Sequence, residues 1–278
     1  MKILEIKSKA IDLTKFSKRS ALNTDFAHLI TESTIITEDG KIKIIYKKLD
    51  DEPNFDSQEI VEALKRIEYD TNERTGGLKT TSRIFGYSPR NVLRKDFCSS
   101  TSLAREFPKE HEVVCRYGVK VAELYQENDP VAYSKHMKLA SKVLPEWTIE
   151  DSPFTSGIIN KNNPLKYHFD SGNFKDVYSC MLGFKQDVES GYLSIPAYDI
   201  ALEIGNNSVT IFDGQSILHG VTPIKYLKTS AYRYTIVYYS LKQMWNCLPL
   251  GEEIGRIRNL KTNREMRRAE QETFSKIR

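Results

Sequence analysis

The chain has 278 residues, enough for one large domain or two small ones with a sizeable core. With 40% hydrophobic and 28% charged residues, a net charge of +4 and a pI near 8.7, its make-up is that of an ordinary globular protein. That mild charge permits a polyanionic partner without demanding one, and no apolar run approaches the roughly 18 residues that span a bilayer.

The N-terminus, MKILEIKSKAIDL, carries charges every few residues and lacks the apolar centre of a secretory signal, so a cytoplasmic location is expected. In chain order, Lys41–Lys48 (KIKIIYKK) alternates as a half-buried strand does, and 57–67 has helical spacing. Residues 71–101, rich in Thr, Gly, Arg and Ser, read as a long ordered loop. One helix is expected to begin near Pro108. Another opens at Asp129-Pro130, an N-cap followed by proline at the first helical position.

From about residue 154 the texture changes. Candidate strands are 154–160, 177–184, 192–195, 199–204, 209–212 and 232–241, with turns at Gly172-Asn173, Gly205-Asn206 and Asp213-Gly214. Short strands at this spacing suggest a sandwich or barrel such as a double-sheet jelly roll. The C-terminal stretch returns to helical periodicity with a basic face. Positive charge concentrates there, in 256–278, and in 83–95 (RIFGYSPRNVLRK). Cys98, Cys115, Cys180 and Cys247 lie far apart, with no metal-ligand spacing, and are expected to be free thiols.

Five histidines occur: His28, His111, His136, His168 and His219. His168-Phe169-Asp170 is an H-x-D. On a strand its first and third side chains share a face and can chelate one ion. His219, expected on a strand 49 residues beyond Asp170, supplies a third ligand. Two imidazoles and a carboxylate on one face of an octahedron leave three open positions, the arrangement of non-haem Fe(II) oxygenases. The bidentate cosubstrate 2-oxoglutarate takes two of those positions and dioxygen the third. Arg233, 14 residues after His219, lies on the alternating segment YRYTIVYYS. An arginine pointing into a core needs a buried anion, and the far carboxylate of 2-oxoglutarate matches its planar fork. Thr235 projects from the same face. His28, His111 and His136 have no partners at useful spacing and are expected on the surface or on helices.

These stretches resemble the TET and J-binding-protein family of 2-oxoglutarate oxygenases, which oxidise the methyl group of 5-methylpyrimidines in nucleic acid, and in particular its compact phage-encoded type. The likeness spans roughly residues 75–260 and rests on SRIFGYSPRNVLR, FTSGIINKNNPLKYHFDSGN, SGYLSIPAYDI, FDGQSILHGVTPI and YRYTIVYYSL. It implies an α+β fold: a double-stranded β-helix (jelly-roll) core with flanking N-terminal helices and a basic C-terminal helix. The expected division is an α/β supporting region over 1–150, the catalytic core over 151–245 and the helical tail over 246–278, within one integrated catalytic domain. By position, His168, Asp170 and His219 match the family's iron ligands, and Arg233 with Thr235 matches its R-x-S/T clamp. Asn173 falls where a polar contact meets the flipped base, and Tyr239 where an aromatic ring stacks on it. Members acting on 5-methylcytosine carry a histidine two residues beyond that ring. Here the position is Leu241, which leaves thymine open beside 5-methylcytosine.

Arg83 and Arg90 are candidates for a second cosubstrate contact or for phosphate contacts. The resemblance implies DNA as partner, as a flipped base or single strand, and no membrane or protein partner is evident. Two rival readings follow from the same residues. One is a 2-oxoglutarate oxygenase acting elsewhere, in N-demethylation repair or on protein or free amino acid. The other is a non-catalytic nucleic-acid-binding protein on an oxygenase fold.

Overall fold

In the computed structural model the alternating segments pair into two large sheets packed face to face, with a separate two-stranded pair of Val188–Ser190 and Ile224–Tyr226. The structure describes residues 1–50, 52, 55–74, 78–90 and 97–276; for 72–74, 78–79, 267 and 269–276 it describes the backbone alone. Among the described residues a ten-stranded sheet has at its centre Lys41–Lys48, Ser208–Phe212, Ser179–Gln186, Tyr232–Tyr239, Ser156–Lys161 and Leu78–Ser88, in that order. A five-stranded sheet runs His28–Ile30, Ile200–Leu202, Leu193–Ile195, His219–Val221 and Leu165–His168. Strands from both halves of the chain therefore share each sheet.

Period-two alternation explains the layering. Along Tyr232–Tyr239, Tyr234, Ile236 and Tyr238 face outward into a core shared with the helices Ser57–Arg66 and Pro108–Asn128. The Tyr238 hydroxyl donates to the Val114 carbonyl at 2.8 Å, fixing the long helix against the sheet. On the inner face, Ile44, Met181 and Phe212 of the large sheet meet Leu193, Ile195, Ile200, Leu202 and Val221 of the small one. Each such side chain, fully buried, stabilises the fold by about 1.5–3 kcal/mol before conformational entropy is subtracted. The helices begin where the sequence caps them. The Asp56 carboxylate accepts from the Gln58 amide, and Asp129 accepts from Ala132 ahead of Pro130–Ala140.

The expected α+β jelly-roll class holds, together with a C-terminal helix, Leu250–Lys276. Arg256, Arg258, Lys261, Arg264 and Arg268 are exposed on that helix. Among the described residues no helix is long and apolar enough to cross a membrane.

Three expectations are corrected. Much of 71–101 is sheet rather than loop: Asp70–Arg74 pairs with Leu78–Ser88, and Ser99–Ser100 adds a further bridge. Its polar side chains are covered on both faces of the strand instead of meeting water, with Thr80, Ser82 and Arg83 all buried. Two of the four cysteines are not free thiols, because Cys98 and Cys247 form a disulfide, while Cys115 and Cys180 remain reduced. Finally, His168 ends its strand and Asp170 lies just past it. His111 and His136 are helical as expected, but His136 is fully buried, its Nε2 2.8 Å from Ser240 Oγ.

Candidate active site

The two sheets enclose a cavity of about 260 Å³ whose lining includes His168, Asp170, Asn173, His219, Arg233, Thr235, Tyr239 and Leu241. Every site residue expected from the sequence, apart from Arg83 and Arg90, is in this one place. The strand Tyr232–Tyr239 contributes Arg233, Thr235, Val237 and Tyr239 by alternation, and Leu241 continues the row. At about 3.3 Å per residue, Arg233 and Tyr239 mark ends of the row about 20 Å apart. Arg233 and Thr235 are buried, whereas Tyr239 and Leu241 are part-exposed and Ser171 is exposed, so the cavity opens at the Tyr239 end.

His168 and His219 face each other across paired strands, directly in register, with ring centroids 4.4 Å apart. Each ring places Nδ1 against the carbonyl two residues back: His168 on Lys166 at 2.8 Å and His219 on Ile217 at 2.9 Å. A carbonyl only accepts, so Nδ1 of each ring donates to it and Nε2 is the nitrogen turned toward Asp170. Both Nε2 atoms point at Asp170 Oδ1, at 3.8 and 3.9 Å. The donor atoms of all three residues lie within 4.8 Å of one another, a spacing that suits one ion. Burial, and then the neighbouring His168, pushes His219 down to about 4, which favours the neutral, ligating imidazole.

Asp170 is held by its own backbone, its amide donating to the Gly214 carbonyl at 2.8 Å. A Cβ at Gly214 would stand 2.2 Å from Asp170 Oδ2 and 3.3 Å from His219 Cε1. The carboxylate thus fills the space that any side chain at 214 would need.

Arg233 is 1% exposed, and its Nε and Nη2 have no hydrogen-bond partner. Its backbone is pinned by Asn162, whose Oδ1 accepts from the Arg233 amide at 2.8 Å. Burial lowers its pKa to about 10, so it stays charged at neutral pH. A charged fork with two orphaned N–H groups inside a cavity fits a carboxylate ligand, and the His-Asp-His face fits a divalent iron with open positions.

Around the opening, Asn173 and Leu241 bridge as backbone partners. The Phe174 amide donates to the Ser240 carbonyl and the Lys242 amide to that of Gly172, both at 2.9 Å. Asn173 Nδ2 donates to Ser179 Oγ at 3.2 Å. The segments carrying Asn173, Tyr239 and Leu241 are therefore one frame.

Arg83 and Arg90 are elsewhere, and the proposal of cosubstrate or phosphate contacts is corrected for both. Arg83 is buried between Asp70 and Glu106 over the Phe107 ring. Arg90 binds Glu253 at 2.6 Å, and that buried carboxylate also accepts from the Cys98 and Leu248 amides. The rest of the basic loop, 91–96, lies outside the described residues. Sequence reasoning missed Asn160, Asn163, Ser179, Met181 and Gly214. The same alternation that placed Thr235 would have found Asn160, its partner in register, and Ser179 with Met181 on the next strand. Gly214 was read only as a turn.

A jelly roll with this triad and a buried cavity arginine defines an Fe(II)- and 2-oxoglutarate-dependent oxygenase. Residues 85–242, more than half of the chain, match the Tet_JBP family, the oxygenase domain of the 2OGFeDO superfamily, and the chain belongs to that family. Among solved structures it is similar to NgTET1 in complex with 5mC DNA, with a TM-score of 0.54 and 17% identity over 84% of this chain and 88% of that one. It also matches an oxidoreductase of the 2OG-Fe(II) oxygenase family from Burkholderia pseudomallei, with a TM-score of 0.48 and 9% identity over 86% of this chain and 96% of that one. The NgTET1 likeness supports the fold. A search of curated proteins returns no match.

Proposed function

We propose that this enzyme hydroxylates the methyl group of a 5-methylpyrimidine, 5-methylcytosine or thymine, in DNA. The observation that carries the reading is that one cavity holds the His-Asp-His triad, the orphaned Arg233 fork and, at its open end, Asn173 beside a tyrosine ring. His168, Asp170 and His219 would hold iron, while Arg233 and Thr235 would hold the far carboxylate of 2-oxoglutarate. Iron and 2-oxoglutarate held there would, with dioxygen, supply an oxidant that converts C–H to C–OH; 2-oxoglutarate would lose CO2 to become succinate, with one oxygen atom of dioxygen in the product and the other in the succinate.

The remaining work is done by the chain itself. The apolar walls of Ile158, Met181, Leu193 and Val221 keep water from the reacting carbon. A pyrimidine methyl lies in the major groove of a duplex, beyond the reach of a buried metal, so the base must leave the stack. Tyr239 would then stack on it and Asn173 would face its Watson–Crick edge. Leu241 offers that edge no hydrogen bond, so the choice between bases falls on Asn173, whose amide can present a carbonyl or an NH2.

Mass spectrometry of nucleosides, after DNA carrying the methylated base is incubated with enzyme, Fe(II), ascorbate and 2-oxoglutarate, tests the reading. Hydroxymethylpyrimidine is expected, and unchanged DNA alongside consumed 2-oxoglutarate would point to another substrate. Tyr239→Ala is expected to cut turnover of DNA strongly, since stacking is worth roughly 1–3 kcal/mol per base. Consumption of 2-oxoglutarate without DNA should persist. Leu241→His adds a polar group at the edge and should shift product toward 5-methylcytosine on matched oligonucleotides. If Tyr239→Ala leaves DNA turnover intact, the stacking role is wrong.

Gly214→Ala is expected to displace the Asp170 carboxylate and weaken divalent-metal binding by about 10- to 100-fold, the usual range for a lost support of a metal ligand. Titration with Co(II), followed by its visible absorption, measures this directly. Unaltered affinity would mean that the carboxylate sits differently when metal is bound.

A further inference from the structure

The sheet wall that carries Arg233 holds another donor. Asn160 lies on the strand Ser156–Lys161, directly opposite Thr235 in register, and lines the same cavity while only 4% exposed. Its orientation is set by a relay that starts from the backbone. The Thr81 amide donates to Asn163 Oδ1 at 2.8 Å, and Asn163 Nδ2 donates to the Thr81 carbonyl at 2.9 Å. A backbone N–H only donates and a carbonyl only accepts, so these two bonds decide which end of the Asn163 amide is oxygen and which is nitrogen. The same Nδ2 also donates to Asn160 Oδ1, at 3.2 Å. An NH2 group only donates, so the Asn160 atom that meets it is the oxygen, and the NH2 of Asn160 is the other end. Among the described residues that NH2 has no acceptor, and it is the end left to meet what the cavity holds.

The polar groups on this wall can all donate. Arg233 offers its unpaired Nε and Nη2, Thr235 a hydroxyl and Asn160 an NH2. Among the described residues that line the cavity, Asp170 is the sole carboxylate, and it faces the two histidines. Across the strand pair Asn160 is the direct partner of Thr235 and the diagonal neighbour of Arg233, close enough for side chains of this length to meet one ligand. We propose that Asn160 is a third donor to the far carboxylate of 2-oxoglutarate, beside Arg233 and Thr235, and that Asn163 is the positioning residue that turns its NH2 to the ligand. This rests on the cosubstrate reading of Arg233 above and adds to it a second strand. A carboxylate has about four lone-pair sites, of which a guanidinium fork fills two. The Thr235 hydroxyl and the Asn160 NH2 fill the others, so the buried ligand keeps no unmet acceptor. The single charge of Arg233 already balances that carboxylate, and a neutral amide completes the set without burying a second cation.

Isothermal titration of 2-oxoglutarate, and separately of succinate, into the full chain loaded with Mn(II) tests this without turnover. Succinate keeps a carboxylate for Arg233 but lacks the 2-oxo group at the metal end. Asn160→Ala should weaken both acids by the same factor, about 10- to 100-fold, as expected for a lost hydrogen bond to a charged group. Asn160→Asp keeps the shape but sets a carboxylate beside Arg233. It should abolish binding of both acids and raise the melting temperature of the ligand-free protein, because the buried guanidinium then has an internal partner. Asn163→Ala should weaken both acids in the wild-type background and add no further loss to Asn160→Ala, since it acts through that amide. A further loss of the same size in both backgrounds would mean that Asn163 serves the fold and does not aim Asn160. Unchanged affinity in Asn160→Ala, alongside a loss in Arg233→Leu, would overturn the role of Asn160 and leave that of Arg233 standing. A loss for 2-oxoglutarate alone would overturn it too, by placing the NH2 at the metal end. If Arg233→Leu binds both acids like the wild type, the carboxylate site itself is misassigned, and the donor set falls with it.

Discussion

Asp170→Ala, like His168→Ala or His219→Ala, is expected to abolish turnover while the protein still folds. Each side chain faces the cavity, where it displaces no packed apolar neighbour, and both His168 and Asp170 are only part-buried. Losing the carboxylate also removes the only negative charge in the triad. Two neutral imidazoles then remain, and they hold a divalent cation far less well than two imidazoles with a carboxylate. His219→Ala acts differently in detail. It opens a hole beside Phe212, whose ring centroid is 5.0 Å from that of His219, so some loss of stability should accompany the loss of activity. Product formation by mass spectrometry, read beside thermal melting, separates the two effects. Near wild-type product from any of the three would mean that the iron is held elsewhere.

How far the site was legible follows from where its information lies along the chain. The row 233, 235, 237, 239, 241 could be read at once, because alternation on a strand is local and the strand is long. H-x-D was equally local, and His219 followed as its distant third member. The helix starts at Pro108 and Asp129-Pro130 were legible for the same reason: capping is decided by neighbours in sequence. What failed was decided over long distances. Thr80, Ser82 and Arg83 look like loop residues, yet they lie inside a sheet, where Arg83 finds Asp70 and Glu106 and where Asn163 binds the backbone of Thr81 from both ends of its amide. Nothing near Arg83 in sequence announces those partners. The disulfide joins residues 149 positions apart, and spacing alone says nothing about such a pair. The short strands Lys2–Glu5 and His28–Ile30 lie at sheet edges, paired in parallel with Thr34–Glu38 and Ile200–Leu202, and are too brief for a clear periodic signal.

Arg233→Leu carries the other large expected effect, and its two consequences have opposite signs. In the ligand-free protein the guanidinium is buried with Nε and Nη2 unpaired, and burial draws its pKa down to about 10. A basic group whose pKa is lower in the folded state than in the unfolded one opposes folding at every pH below that folded value. The ligand-free fold therefore carries this unfavourable charge across the physiological range. Leucine fills part of the same space without the charge, so the variant should melt at the wild-type temperature or above it. Binding of 2-oxoglutarate should move the other way. Removing one partner of a buried, charge-assisted pair costs on the order of 2–5 kcal/mol, which corresponds to a rise in half-saturation of roughly 30-fold to several thousand-fold. Arg233→Lys retains the charge but not the planar fork, and should fall between wild type and leucine. Gly191 sharpens the test from a different residue. A Cβ there would stand 3.1 Å from Arg233 Nε, so Gly191→Ala should tilt the fork and weaken 2-oxoglutarate while leaving the charge in place. Half-saturation for 2-oxoglutarate, measured beside melting in its presence and absence, reads both effects. An Arg233→Leu protein that keeps wild-type half-saturation, or loses stability without losing the cosubstrate, would show that the guanidinium serves the fold and not the ligand.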